Sequence, residues 1–356
     1  MQTKPTTPLP TDEPHTIDQQ PAGGEAPPVV RGSKVRAADI GERFALIGAW
    51  VVVAVVFSLV LPNTFATTAN LQNIFGSQAV LVLLGLALVL PLTAGDFDLS
   101  VSFLMGFSAI LVAKLNVQDQ WPILLAIVAA VGVAAVVGAI NGALIVGLGI
   151  DSFIVTLGVG TFLFGATEWL SNSQTISGVS TSLVNWTVTN RFLGISMAFW
   201  YGVVICAAMW FVLAYTPVGR RLLFVGRNRN VSRLTGLHVN RLRIGALIGS
   251  SVLSALAGVL YVGSQGGVDP SAGQAFLLPA FASAYLGATS ISPGRFNAWG
   301  TFIAVYFLVT GITGLQLLGV ASFVQNLFYG AALVVAVALP RIVRRRAAGE
   351  EAAAGS

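Results

Sequence analysis

The sequence predicts an all-α polytopic membrane protein of about ten transmembrane helices, one or two of them broken or short, with both termini cytoplasmic. Three observations predict it. The 356 residues are 55% hydrophobic and only 9% charged, with a mean hydropathy of +0.81. Soluble domains carry nearer one-quarter charged residues, so a 37.0 kDa chain this poor in charge has lipid as its solvent. Apolar stretches then recur from Phe44 to Leu339, and the basic residues fall almost wholly in alternate connections between them.

Residues 1–40 hold seven of the fifteen prolines, mixed with Thr, Gly, Gln and Asp. No apolar h-region interrupts them, so they read as a disordered cytoplasmic tail and not as a signal peptide. About twenty apolar residues cross the hydrocarbon core as a helix. Residues 44–61 open the series with no charge after Arg43. Residues 75–93 follow, then 99–114, which begins at an acidic break and ends on Lys114. Residues 123–149 are long enough to tilt or protrude, and 153–170, 198–215 and 244–263 are of ordinary length. Residues 276–290 are short and contain Pro279, which predicts a broken or re-entrant helix lined by protein. Residues 298–315 and 322–339 complete a transmembrane domain over 41–340, and 341–356 form a cytoplasmic tail.

Placing the N-terminus inside puts seventeen of the nineteen basic residues on one face. They are Lys4, Arg31, Lys34, Arg36 and Arg43, then Arg220, Arg221, Arg227, Arg229, Arg233, Arg241 and Arg243, then Arg295, and finally Arg341, Arg344, Arg345 and Arg346. Lys114 and Arg191 fall outside. The positive-inside bias thus sets the orientation, and it also sets parity, because 341–346 would land outside if 276–290 failed to cross. The pI near 9.7 is explained without nucleic acid: the basic residues are spread over loops that face anionic lipid, with no interleaved aromatic stripe.

Enzyme motifs are scarce. The three lysines, Lys4, Lys34 and Lys114, sit in no G-x-x-x-x-G-K-[ST], and the two histidines, His15 and His238, form no H-E-x-x-H. Asp96 with Asp98 is the one candidate pair for a metal-dependent membrane enzyme, and no histidine accompanies it. The single Cys206 lies inside an apolar run and reads as a small buried hydrophobe. Glu168 and Lys114 lie near span ends, where they reach the interface, so the spans hold no charge relay of the kind ion-coupled transporters use. Uncharged polar residues are more plentiful. Gln78, Asn141, Thr156, Thr161, Gln316, Gln325 and Asn326 suit either a path for a neutral hydroxylated solute or interhelical hydrogen bonds; the path candidates are Gln78, Asn141, Thr156, Thr161 and Gln325.

Two cytoplasmic features stand out. In the break Gly95-Asp96-Phe97-Asp98-Leu99-Ser100, Asp98 and Ser100 are placed to cap a helix and complement its dipole. In the long loop 217–243, Asn228 is an N-cap, Val231, Leu234 and Leu237 share one face, and Gly236 is a C′ stop. A two-turn helix with an apolar ridge and basic flanks (Arg227, Arg233) suits a groove on another protein or the surface of the inner leaflet.

These residues resemble the permease subunits of ribose-type bacterial ABC importers, the carbohydrate-uptake group with ribose, xylose, arabinose and galactose permeases. The family's G-G-x-D-L-S-V-G is similar to Gly95 through Ser102. Its N-G-x-[LI]-V resembles Asn141 through Val146, and its P-x-F-I-[VA]-T-L-G resembles Asp151 through Gly158. The coupling-loop pattern resembles Gly219 through Leu237 and continues at Ala255 through Gly258; the last motif resembles Leu286 through Arg295 and closes at Gly300-Thr301. Coverage runs from about residue 50 to 340, in family order. Asp96 and Ser102 stand where the family has glycine, Asp151 stands near its proline, and Pro293 replaces a glycine. Arg229 and Asn230 stand where acidic residues are frequent, which would give the partner ATPase a differently charged groove.

The resemblance implies a homodimer around a central path in the bacterial cytoplasmic membrane, carrying a pentose or hexose delivered by an extracytoplasmic binding protein. It implies no cofactor in this chain, with ATP and Mg held by a separate ATP-binding subunit. Residues 227–236 would be its coupling helix, with Arg227, Asn228, Val231, Arg233, Leu234, Gly236 and Leu237 in contact. The Ser-, Thr- and Asn-rich loop 172–197, with Trp186, would receive the binding protein. Nucleosides, branched-chain amino acids and an ion-coupled secondary mechanism remain alternatives.

Overall fold

The structure is a computed structural model that describes the backbone of residues 37–354 and the side chains of residues 43–338. The tail expected over 1–40 lies outside the described residues through residue 36, and residues 37–40 are already helical. The helices are α1 (Ala37–Val60), α2 (Thr68–Gly76), α3 (Ala79–Ala94), α4 (Val101–Ala113), α5 (Ile123–Gly142) and α6 (Ser152–Ser171). The short strand β1 (Ile176–Ser177), a turn of helix α7 (Thr181–Val184) and the strands β2 (Arg191–Phe192) and β3 (Ile195–Ser196) follow. Then come α8 (Met197–Tyr215), α9 (Pro217–Arg227), α10 (Arg229–Leu234), α11 (Val239–Gln265), β4 (Gly267–Val268), α12 (Leu277–Gly287), α13 (Ala298–Leu317) and α14 (Phe323–Ala354).

Eight of the expected spans have the length and apolarity to cross a bilayer, among them α1, α2 with α3 as Thr68–Ala94, α6, α8, α11 and α13. The second expected span therefore starts earlier, at Thr68, with its helix interrupted at Ser77 and Gln78. Two expected spans differ. Residues 276–290 yield only α12, an 11-residue helix. The apolar part of α14, Phe323–Ala338, is also below spanning length, and the helix continues without a break through the region expected to be a tail.

α3 is apolar on every side and is buried along nearly its whole length, which makes it the centre of the bundle. α11, α4, α12 and α13 pack around it, whereas α1 buries almost nothing and turns its valines outward. Lipid tails are as apolar as leucine, so helices here associate by close packing and not by exclusion from water. α5 shows the consequence: it buries Ala126, Ala130, Ala134 and Gly138, a small residue every fourth position. A Cβ at Gly138 would lie 2.7 Å from the Ile248 Cα of α11, so this contact is backbone against backbone.

The bundle has two distinguishable ends. At one, the Arg43 carbonyl accepts from Ile291 N at 2.9 Å and Ser290 Oγ at 2.8 Å, and Arg229 reaches Gly95. At the other, β1 pairs with β4, β2 pairs with β3, and Ser180 N donates to Asn116 Oδ1 at 2.8 Å. β4 and Ser290 thus sit at opposite ends, joined by an irregular segment, a 3₁₀ turn at Gln274–Phe276 and α12. A Cβ at Gly273 would overlap the Ser102 carbonyl, so the non-helical part reaches the depth of the first turn of α4. Pro279 through Ala284 are buried, and protein rather than lipid surrounds this broken segment.

Candidate functional site

The α3–α4 connection is built into the first end of the bundle by four other elements. α3 stops at Gly95, whose φ of +79° is left-handed, and Asp96 N returns to the Pro91 carbonyl at 2.9 Å. Phe97 N then donates to Ser152 Oγ and Leu99 N to Thr156 Oγ1, both at 3.0 Å, so α6 supplies the acceptors that this loop lacks. Asp96 is 2% exposed and holds two guanidinium groups. Arg243 of α11 binds it in a fork, Nε to Oδ2 and Nη2 to Oδ1, each at 2.7 Å. Arg229 of α10 donates from Nη2 to the same Oδ1 at 2.8 Å and to the Gly95 carbonyl at 2.7 Å. A carboxylate this buried requires such partners, and the forked geometry is the strong one.

Asp98 is fully buried and has no cation beside it. Its Oδ1 accepts from Ser100 N at 3.1 Å and Ser100 Oγ at 2.5 Å, and its Oδ2 accepts from Ser250 Oγ of α11 at 2.8 Å. Burial pushes its carboxyl above the usual carboxylate range, and these hydrogen bonds oppose the rise without cancelling it. Asn141 of α5 joins the cluster by donating Nδ2 to Ser100 Oγ at 3.0 Å. Ser102 Oγ, Asn141 Oδ1 and Ser251 Oγ are buried with no hydrogen-bond partner, so the cluster keeps spare hydrogen-bonding capacity. The two carboxylates face different partners and share no site; among the described residues no group of three or more His, Cys, Asp or Glu is placed to hold a metal.

α9 and α10 form the protruding element at the same end. α9 starts at Thr216, which accepts from Gly219 N, with Pro217 in its first turn. An added Cβ at Gly226 would overlap the Thr93 carbonyl, so α9 lies directly on the end of α3. Asn228 Oδ1 caps α10 by accepting from Asn230 N and Val231 N at 3.1 Å. Gly236, at φ +78°, ends it, with Gly236 N on the Arg233 carbonyl and Leu237 N on the Ser232 carbonyl. Ser232 faces inward, while Val231 is 46% and Leu234 87% exposed. Arg227 and Arg233 are also exposed, and Leu237 is half-buried. Arg229 is different: the structure turns it back onto Asp96, which it shares with Arg243, so it is engaged within the chain and does not define an outer groove.

The five path candidates do not come together. Asn141 and Thr156 are buried in the cluster at the first end. Thr161 is exposed on the outer flank of α6, bonded only to the Leu157 carbonyl. Gln78 stands at the start of α3 without capping it and donates from Nε2 to Ser77 Oγ at 2.8 Å, and Gln325 accepts weakly from Gln316 at 3.3 Å. Open space lies elsewhere. A cavity of about 350 Å³ at the second end is lined by Gln72, Asn73, Ser77, Arg191, Ser264 and Gln265. Another, of about 440 Å³, lies where the broken segment meets α14, with Ser271, Gln274, Asn326 and Tyr329 on its walls. Near it, Asp269 accepts from the Ser271 hydroxyl and N–H, which hold its carboxyl below the usual range. Sequence reasoning missed Arg243, Ser250 and Gln274. The signal for the first was available: a carboxylate in an apolar chain needs a cation, but not which of seven arginines in one loop.

Comparison with known proteins adds the following. The family described as branched-chain amino acid transport system / permease component matches residues 70–337. The D-allose transport system permease protein AlsC of Escherichia coli (strain K12) is 30% identical over 294 residues, covering 83% of this chain and 90% of that protein. The ribose import permease protein RbsC of Bacillus subtilis (strain 168) is 32% identical over 291 residues, 81% of this chain and 90% of that protein. The fructose import permease protein FrcC of Rhizobium meliloti is 29% identical over 302 residues, 83% of this chain and 84% of that protein. No solved structure matches.

Proposed function

The chain belongs to the branched-chain amino acid transport system permease family, and we propose that it carries a sugar across the membrane while a separate ATPase grips its basic end. It is a permease subunit of an ABC importer and a multi-pass protein of the cytoplasmic membrane. The sugar reading follows the relatives, which are named for allose, ribose and fructose. Cavities walled mainly by amides and hydroxyls, with Arg191 the one charged side chain among the residues named above, suit a polyhydroxylated solute. The pore-forming unit is a homodimer with ten crossings and both termini inside, fed by an extracytoplasmic binding protein at the end that carries β1–β4.

The observation that carries the coupling is the way α10 is tied. Its Val231 and Leu234 are offered outward, and its Arg229 holds the α3–α4 loop through Asp96 and Gly95. Arg243 binds the same carboxylate from α11, so a displacement of α10 pulls on α3, α4 and α11 together. Those three helices form the wall on which the broken segment rests, with Gly273 against Ser102 and Gly106. Closure of two ATP-bound motor subunits would move α10, and the clasp would carry that movement toward the path.

The test is reconstitution of the full chain with its ATP-binding subunit and binding protein in vesicles. ATP-dependent uptake of a pentose or hexose is expected. With Leu234→Asp, hydrolysis should continue while uptake falls about tenfold or more, since a charge would enter an apolar seat. Uptake that survives ATP depletion and follows a proton gradient would assign the chain to the ion-coupled class instead.

A further inference from the structure

A third cavity, of about 280 Å³, lies at the basic end between the last turns of α8, the first of α9 and the connection from α12 to α13. Trp210, Arg220, Ser292, Arg295, Asn297 and Trp299 carry its chemistry. We propose that it is a binding site for the phosphate headgroup of an anionic phospholipid.

The charge argument comes first. Neither Arg220 nor Arg295 takes part in an ion pair among the described residues, and no carboxylate lines the cavity. At the same end of the bundle, Asp96 has its oxygens occupied by Arg229 and Arg243, and Asp98 is sealed among serines. Among the described residues, then, two guanidinium groups line one recess without a carboxylate partner, and an anion from outside the chain would supply the counter-charge. The start of α13 adds to the same field, because a helix N-terminus carries positive partial charge. Guanidinium and hydroxyl donors fit a phosphate oxygen set better than a carboxylate-free apolar ligand.

The walls identify the source of the phosphate. Together with the arginines, the recess is lined by Leu213, Leu223 and Phe296, which a free phosphate ion has no use for and acyl chains do. Outside it, Phe211, Tyr215, Val218 and Phe224 are exposed, so α8 and amphipathic α9, which both contribute to the cavity, also carry unburied apolar side chains suited to lipid. Trp210 and Trp299 belong to the same lining, and indoles are the side chains that anchor at a membrane–water boundary. Basic recesses between helices on the inner face, with apolar walls, are the form that anionic lipid recognition takes.

The experiment uses the full chain purified in a non-ionic detergent, with no motor subunit present. Native mass spectrometry compares retention of phosphatidylglycerol with that of phosphatidylcholine, with and without millimolar inorganic phosphate. Wild type should retain phosphatidylglycerol about tenfold over phosphatidylcholine, and inorganic phosphate should not displace it. Arg220→Gln with Arg295→Gln should abolish the preference. Arg227→Gln with Arg233→Gln, which removes equal charge elsewhere on the same end, should leave it intact. Equal retention of the two lipids by wild type would overturn the site, and so would equal losses in both double variants. Displacement by inorganic phosphate would reassign the recess to a free anion. The wild-type arms are read without any variant, so a misfolded variant does not blunt the test, and none of the outcomes depends on the transport reading.

Discussion

Asp96 and Asp98, two positions apart, show how one short loop solves the burial of a carboxylate in two ways. Asp96 is met by cations, and Arg243 (9% exposed) does most of this work while Arg229 (37%) remains partly in water. Arg243→Leu should therefore destabilise the purified protein by about 3 kcal/mol or more, by leaving a buried charge half-paired, and Arg229→Leu by about 1 kcal/mol. Thermal melts in detergent rank the two, and equal losses would remove the distinction. Asp98 is met by hydroxyls alone, and its pKa is raised. A raised carboxyl contributes stability that is fully present below the unfolded value, about 4, and is lost as pH rises through the folded value. Asp98→Asn has no such loss, keeps the Ser100 bonds on its oxygen and lets the Ser250 hydroxyl turn to accept. Its melting temperature should thus gain on wild type as pH rises from 4 toward 8, whereas Asp98→Ala should cost about 1–3 kcal/mol across that range. A constant difference between wild type and Asp98→Asn would show that burial does not set this group.

At the scale of the element, what was legible in the sequence was what short-range chemistry dictates. Asn228 and Gly236 bound α10 because a side-chain acceptor and a left-handed residue act within one turn, and both appear in the structure as read. Pro279 and the shortness of 276–290 pointed to the broken segment for the same local reason. The interruption of α2 and α3 at Ser77 was not legible, because Ser77 and Gln78 bear no strong breaker. Nor was the fate of Arg229 or Thr161. An arginine in a basic loop looks like its neighbours until a partner 133 positions away is placed beside it, and Thr161 turns outward because α6 is packed on one side only. Helix contacts follow small residues more than apolar ones, and this too can be measured. Gly138→Ala should cost about 1–3 kcal/mol, since its Cβ would press on the Ile248 backbone, while Gly132→Ala, with open space around it, should be neutral or slightly stabilising. Matched losses at the two glycines would mean that propensity, and not the α5–α11 approach, governs this pair.

Across the whole molecule, charge separates the ends more sharply than shape does. Arg43, Arg220, Arg221, Arg227, Arg233, Arg241 and Arg295 gather at the end where α10 protrudes, and Lys114 and Arg191 lie at the end with the small sheets. Under the positive-inside rule, seven arginines on one face would hold that face in the cytoplasm, and the proposed motor-facing and solute-facing ends would follow from that insertion. The chain offers a clean way to test this, because its single cysteine, Cys206, is buried at 0% exposure and leaves no background for a thiol reagent. Leu234→Cys on α10 should react with a membrane-impermeant maleimide only in inside-out vesicles, and Arg191→Cys on β2 only in right-side-out ones. Reaction of both from the same side would mean an odd number of crossings between β2 and α10 is wrong. Reaction of each from the opposite side would place α10 beyond the reach of any cytoplasmic ATPase, and the coupling role of the Arg229–Asp96 clasp would fall with it.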